Sequence, residues 1–354
     1  MDPQVTPIQA QVVPETRVSP RSRGPSVWGC IVLVVLLLAL GGSVLLNVGL
    51  FSLYYGGNLL ETDGRVQEQF VSHQSAAHDK IAIISVEGVI LEEDGFIKHE
   101  IDRAAHDANV KGVVLRVESP GGTVSASDYL YHHLGELRSK MPIVVSMGGI
   151  AASGGYYLSM AVGDKPDTIF AEPTTWTGSI GVVIPHYNFA ELMKTWGVKD
   201  DSIASHRLKT MGSFSKPMTD EERQIFQTLV DESFTRFKNI VKSGRPKFHK
   251  DPMALDKLAT GQIFTADQAL KDGLVDKIGY LDAAVDRAIQ LAGVSADNVR
   301  VVKYKRELTL SSMFLEGQSE SRSLELAKML DLAAPRAFFL WTTLPPMATG
   351  RSRE

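Results

Sequence analysis

The sequence predicts an α/β fold built on parallel strands. Short apolar runs rich in β-branched residues, Ile81–Val86, Lys111–Val117 and Pro142–Met147, read as strands. Segments of helical periodicity separate them, Phe96–Ala108 and Ser125–Leu137. Intervals of that length suit βαβ crossovers, whereas antiparallel strands need only tight hairpins.

The first 26 residues precede this pattern. They hold Pro3, Pro7, Pro14, Pro20 and Pro25, show no apolar period, and read as a disordered tail. From Val27 to Leu50 no residue is charged. As a helix this stretch would be about 36 Å long, enough to cross a hydrocarbon core of about 30 Å. Trp28 stands near one end, and Phe51, Tyr54 and Tyr55 near the other, where interfacial aromatics belong. The run exceeds the apolar core of a cleaved signal peptide, so a retained single-pass anchor is expected. Arg17, Arg21 and Arg23 precede it, which keeps the tail cytoplasmic and places everything after residue 60 on the other side.

Residues 51–79 read as a polar stalk, with a membrane-proximal helix around Arg65–Val71. A domain over 80–295 follows. In it Phe96–Ala108 puts Ile97, Ile101, Ala104 and Ala108 on one face. Ser119–Thr123 reads as a turn. Gly148–Gly155 reads as a small-residue loop leading into Tyr156–Ala161. Thr168–Ala171 and Ile180–Ile184 read as strands, and Phe189–Trp196 as a helix. A long helix starts at Thr219 with a capping-box pattern, Thr219 followed by Glu222, and runs to about Ser243. A last helix spans Leu281–Leu291. Residues 296–354 form a C-terminal extension, with a linker at 317–323. Its apolar part, Leu324–Met347, is broken by Lys328, Asp331, Arg336 and prolines. It either lies on a bilayer or a neighbouring subunit, or closes the core.

Composition narrows the functions. The chain has 354 residues, 44% hydrophobic, and a formal net charge of −4, which does not suit nucleic acid as the main partner. Its single cysteine, Cys30, allows no internal disulfide, and no Cys/His cluster has zinc spacing, so no metal or cofactor is expected.

The chemistry concentrates at Ser146–Tyr157, SMGGIAASGGYY. A strand ends, small residues follow, and Ser153 stands where a helix begins. A nucleophilic serine needs a tight turn, small neighbours and backbone N–H groups aimed at the developing oxyanion. A glycine-rich turn capped by serine would look the same. Ser119–Pro120–Gly121–Gly122 also follows a strand, and its glycines permit positive φ and close backbone approach. The Gly122 and Gly154 N–H groups together would make an oxyanion hole. For a base, His132, His133, His186, His206 and His249 all lack a distinctive context. The other option is a desolvated lysine, and Lys209 in the run RLKTMGSF is a candidate.

Five pieces taken in order resemble the signal peptide peptidase SppA (protease IV) family of the ClpP/crotonase superfamily. They are SPGG at 119–122, SMGGIAASGGYY at 146–157, TGSIGV at 177–182, KTMGSFSKPMTDEER at 209–223 and GQIFTADQALKDGLVDKIG at 261–279. The resemblance implies a crotonase-like unit with a parallel sheet and flanking helices, in the short single-unit form. It implies Ser153 as nucleophile, Lys209 as general base, Ser179 as the residue orienting the lysine, and Gly122 and Gly154 as oxyanion donors. It further implies a ring-shaped homo-oligomer in which neighbours complete each dyad, and location in a bacterial inner membrane with the catalytic domain outside. The implied substrates are cleaved signal peptides and other apolar stretches of membrane proteins. Glu118 departs from the family, which commonly has Asn or Asp there. An acyl-CoA enzyme, a silent scaffold and a Ser–His–Asp hydrolase are the competing readings.

Overall fold

The computed structural model describes residues 27–55, 66–306 and 337–340, with the side chains of the first helix described over 31–47. The chain divides into two units, 1–63 and 64–354. The expectations for the tail, for residues 56–65 and for the linker at 317–323 fall outside the described residues.

In the first unit α1 runs Val27–Tyr55, 29 residues without a charged side chain. Leu36, Leu38, Leu45 and Leu46 are among its exposed apolar residues. Among the described residues no helix is long and apolar enough to cross a membrane. For α1 the described side chains stop at 31 and 47, whereas its helical backbone is longer at both ends.

The second unit holds β1 (Val66–His73), β2 (Asp79–Ile90), α2 (Phe96–His106), β3 (Val110–Thr123), α3 (Val124–Lys140), β4 (Ile143–Ala152) and α4 (Gly154–Ser159). Next come β5 (Ile169–Ala171), β6 (Trp176–Gly178), α5 (Ala190–Thr195), α6 (Asp220–Gly244), α7 (Pro246–Lys250) and α8 (Pro252–Leu258). The last elements are β7 (Ile263–Thr265), α9 (Ala266–Asp272), β8 (Lys277–Ile278), α10 (Leu281–Ala292), β9 (Val299–Arg306) and β10 (Phe338–Leu340).

The sheet order is β1-β9-β2-β3-β4-β5-β8. Every pair along it is parallel except β1 with β9. This is the mixed α/β fold the alternation predicts. The strands bury both faces, as parallel strands under crossover helices do. Ala82, Ile84, Val86, Val113, Leu115 and Val117 face one core, shared with α3, α4 and α6. Ile81, Ile83, Val114 and Val144 face the other, against Ala284, Val285, Ala288 and Ile289 of α10.

Several local expectations are corrected. Residues 66–73 form a strand, not a helix, because β9 offers them an antiparallel edge from Val66↔Arg306 to His73↔Arg300. Residues 119–123 are not a turn: β3 runs through them, with Gly121 at φ 106°. Residues 180–184 carry only one bridge, Val183 to Phe338. The long helix α6 has the full capping box, with Thr219 and Glu222 each accepting from the other's backbone N–H.

Candidate active site

The position of Ser153 is built by the end of β4. Ser153 lies between Ala152, the last residue of β4, and Gly154, the first of α4, with φ 54° and ψ −111°. A side chain at positive φ outside the helical basin is costly, of order 1–3 kcal/mol, and persists only where its surroundings enforce it. Here the Ser153 N–H donates to the Gly178 carbonyl at 2.8 Å, and the Ser153 carbonyl accepts from the Tyr157 N–H at 2.8 Å. The serine is 1% exposed. Ser179 also has a positive φ, 50°, directly after Gly178 at φ 85°. Its N–H donates to the Gln262 carbonyl at 2.8 Å and its hydroxyl to the Gly261 carbonyl at 3.1 Å.

Both serines line one cavity of about 450 Å³, with Val182, Phe234, Gly261, Phe338 and Leu340 among its other walls. None of the candidate histidines lines it. Lys209 does not line it either. It stands in a short 3-10 turn, Arg207–Thr210, and is exposed. A single chain therefore brings Ser153, Ser179, Gly122 and Gly154 together and leaves Lys209 apart.

The two glycines converge because β3 and β4 both bulge. Ser119 pairs with Ala151 after a register shift, which carries residues 119–122 alongside 151–154. A methyl group on Gly154 would fall 3.0 Å from the Gly122 nitrogen and 2.6 Å from Ser127 Oγ. One on Gly122 would fall 1.8 Å from the Ile90 carbonyl oxygen. Only glycine fits either position, and backbone N–H groups are what an oxyanion requires. The Ser119 hydroxyl donates to the Gly88 carbonyl at 2.6 Å and accepts from the Gly121 N–H at 3.1 Å, which holds the end of β3 in place.

The scaffold includes residues that the sequence did not single out. Asp128 of α3 accepts from the Tyr157 hydroxyl at 2.6 Å and from Arg236 at 2.8 and 2.7 Å, joining α3, α4 and α6. Burial and this carboxylate push the Tyr157 phenol far above its ordinary range, so it stays a donor. Tyr156 donates to the Leu274 carbonyl at 2.9 Å. Glu118 accepts from the Gly149 N–H at 3.1 Å and pairs with Arg116 at 3.5 Å, which braces the end of β4 before Ser153. Arg116 also bonds Ser146 at 3.0 Å and Glu172 at 2.6 Å. The doubled tyrosine after the serine was the available signal, since two adjacent aromatics in a glycine-rich run need partners for both hydroxyls.

The chain matches the profile of Peptidase family S49 over residues 135–295. It is 33% identical over 274 residues to a protein of Enterococcus faecium named "Putative signal peptide peptidase SppA", covering 74% of this chain and 75% of that one. The chain belongs to peptidase family S49. It is a serine protease of that family, similar also to "Protease 4" of Haemophilus influenzae, 34% identical over 295 residues. There the match covers 78% of this chain but about half, 46%, of the longer relative. "Serine protease SPPA, chloroplastic" of Arabidopsis thaliana is 29% identical over 264 residues, 70% of this chain and 38% of that one. The S49 match includes Ser153, Ser179 and Lys209 but begins after β3, so Gly122 lies upstream of it.

Proposed function

We propose that the chain is a membrane-anchored endopeptidase in which Ser153 is the nucleophile and Lys209 the general base. The observation that carries the reading is the enforced backbone of Ser153 beside two glycines that tolerate no side chain. In the reaction the Lys209 amine takes the Ser153 proton, and Ser153 Oγ attacks the peptide carbonyl. The Gly122 and Gly154 N–H groups hold the oxyanion, and the amine leaves with a proton from the lysine. Water then resolves the acyl-enzyme.

A lysine serves as a base only where it sheds its water, and Lys209 is exposed in the single chain. The segment that bears it also exposes Tyr187, Phe189, Leu192, Trp196, Val198, Ile203 and Phe214. Such an apolar surface favours burial against a second copy. In this reading neighbouring copies in a ring bring Lys209 to Ser153, and Ser179 orients the amine. The uncharged 29-residue α1 supports the anchor. With basic residues ahead of it, the tail stays in the cytoplasm and the protease unit works outside a bacterial inner membrane. Cleaved signal peptides and other apolar peptides are the substrates that fit such a position.

The experiment is hydrolysis of an apolar reporter peptide by the detergent-solubilised full chain, beside Ser153→Ala and Lys209→Ala, across pH. Loss of at least about 100-fold in both variants supports the dyad. Activity surviving Lys209→Ala removes it.

A further inference from the structure

α3 begins at Val124, two residues after Gly122. Thr123 caps it, its hydroxyl accepting from the Ala126 N–H at 3.2 Å. Ser127, the residue after Ala126, is 0% exposed, and its hydroxyl has no hydrogen-bond partner among the described residues. A serine inside a helix can donate to the carbonyl four residues back, here that of Thr123. Ser127 makes no such bond, and its oxygen lies against Gly154 instead. The point that a side-chain carbon on Gly154 would occupy is 2.6 Å from Ser127 Oγ and 3.0 Å from the Gly122 nitrogen. One buried hydroxyl therefore adjoins both glycines.

Its placement is fixed from the next residue. Asp128 accepts from the Tyr157 hydroxyl at 2.6 Å, and the Tyr157 N–H donates to the Ser153 carbonyl at 2.8 Å. The second turn of α3 is thus tied to the helix that Gly154 begins.

A buried hydroxyl without a partner costs stability. Alanine would avoid that cost and is the better helix former. The hydroxyl gains a partner when negative charge appears beside it. As Ser153 Oγ adds to a peptide carbon, the π pair of the carbonyl moves onto the oxygen held by the Gly122 and Gly154 N–H groups. A hydroxyl hydrogen rotates to suit its surroundings, so the Ser127 dipole can turn to that oxygen while its proton stays on Ser127. Dipoles aimed at developing charge count for most where water is excluded.

We infer that Ser127 is a third polar group of the oxyanion site: its hydroxyl, buried against Gly154 and beside Gly122, turns its proton toward the oxygen that becomes negative when Ser153 adds to a peptide carbonyl. This rests on the protease reading given above. The ground-state carbonyl carries less charge and gains less from the rotation, so Ser127 bears on kcat and leaves KM alone.

The test uses the detergent-solubilised full chain beside its Ser127→Ala variant, with an apolar reporter peptide and with a peptide boronic acid, whose adduct on Ser153 is tetrahedral and negatively charged. In the variant kcat falls at least about tenfold with KM unchanged, and the boronate binds more weakly by the same factor. Urea unfolding shows the variant at least as stable as the unaltered chain. An unchanged kcat overturns the inference, as does a rise in KM alone or a fall in kcat with boronate affinity unchanged. A loss of stability, with substrate and boronate weakened alike, marks a packing role and also overturns it. If Ser127→Ala does not fold, Ser127→Cys, which donates only weakly, is judged by the same kinetic criteria. If the unaltered chain shows no Ser153-dependent hydrolysis, the protease reading fails and the inference falls with it. Hydrolysis by the unaltered chain with equal kcat in Ser127→Ala removes the inference alone.

Discussion

The backbone N–H of Ser153 donates to the carbonyl of Gly178 at 2.8 Å, so Ser153 hangs from the residue that immediately precedes Ser179. The two serines are held by one backbone connection. Gly178 itself has φ 85°, and a side chain there would meet Phe264 Cδ2 at 2.5 Å. Gly178→Ala should therefore shift both serines at once. We expect kcat to fall by about 100-fold, the scale of a misplacement near 1 Å. Denaturant unfolding should show a loss of about 1–3 kcal/mol. Full activity in a folded Gly178→Ala variant would contradict this account of the site.

A dyad shared between copies makes a distinctive prediction. Ser153→Ala and Lys209→Ala chains, each inactive alone, should recover activity when dissociated, mixed in equal amounts and reassembled. Random mixing restores about a quarter of the sites in a closed ring. No recovery, in mixtures shown to co-assemble, would place the base within the same chain as the serine.

Asp128 should matter for stability more than its partial exposure suggests. It serves Tyr157 and Arg236 together. Asp128→Asn leaves a buried phenol facing a neutral amide and halves the charged fork. A loss of about 1–3 kcal/mol is expected in urea unfolding. Arg236→Lys should lose less, because the tyrosine keeps its acceptor.

Glu100 links stability to pH. Burial raises its carboxyl to about 8, against the smaller opposing pull of the Ser85 N–H and Lys303. Its folded pKa lies above the unfolded one, so the native state holds the extra proton. Its contribution is complete below about pH 4.5 and is lost as pH rises through about 8. The slope cannot exceed about 1.4 kcal/mol per pH unit. Glu100→Gln should flatten unfolding free energy across that window and stabilise the chain at its alkaline end. A wild-type profile without that slope would show that Glu100 ionises freely.

Much of this was readable from local pattern. The strands β2, β3 and β4 and the helices α2, α3, α6 and α10 announce themselves by period and cap. Ser153 and the glycines stand in motifs whose physical demands are visible in the residues. What escaped was set by distant partners. Residues 66–73 have few strong β-formers and become a strand because β9 is beside them. The SPGG run reads as a turn from its composition, yet β2 and β10 on either side hold it extended. β10 itself is three residues whose pairing lies far back in the chain, and no local rule reaches that distance. Glu118 carries no motif at all. Its role appears only once the Gly149 N–H is seen beneath it.

That last contact ties two positions into one mutational unit. A methyl group on Gly148 would land 1.6 Å from Glu118 Oε2, so a larger residue at position 148 requires the Glu118 carboxylate to swing aside. Shortening Glu118 opens the space but gives up the bond to Gly149. Substitutions at the two sites should therefore be strongly non-additive. A change at position 148 is therefore felt through the Glu118 carboxylate, at the end of β4 before Ser153.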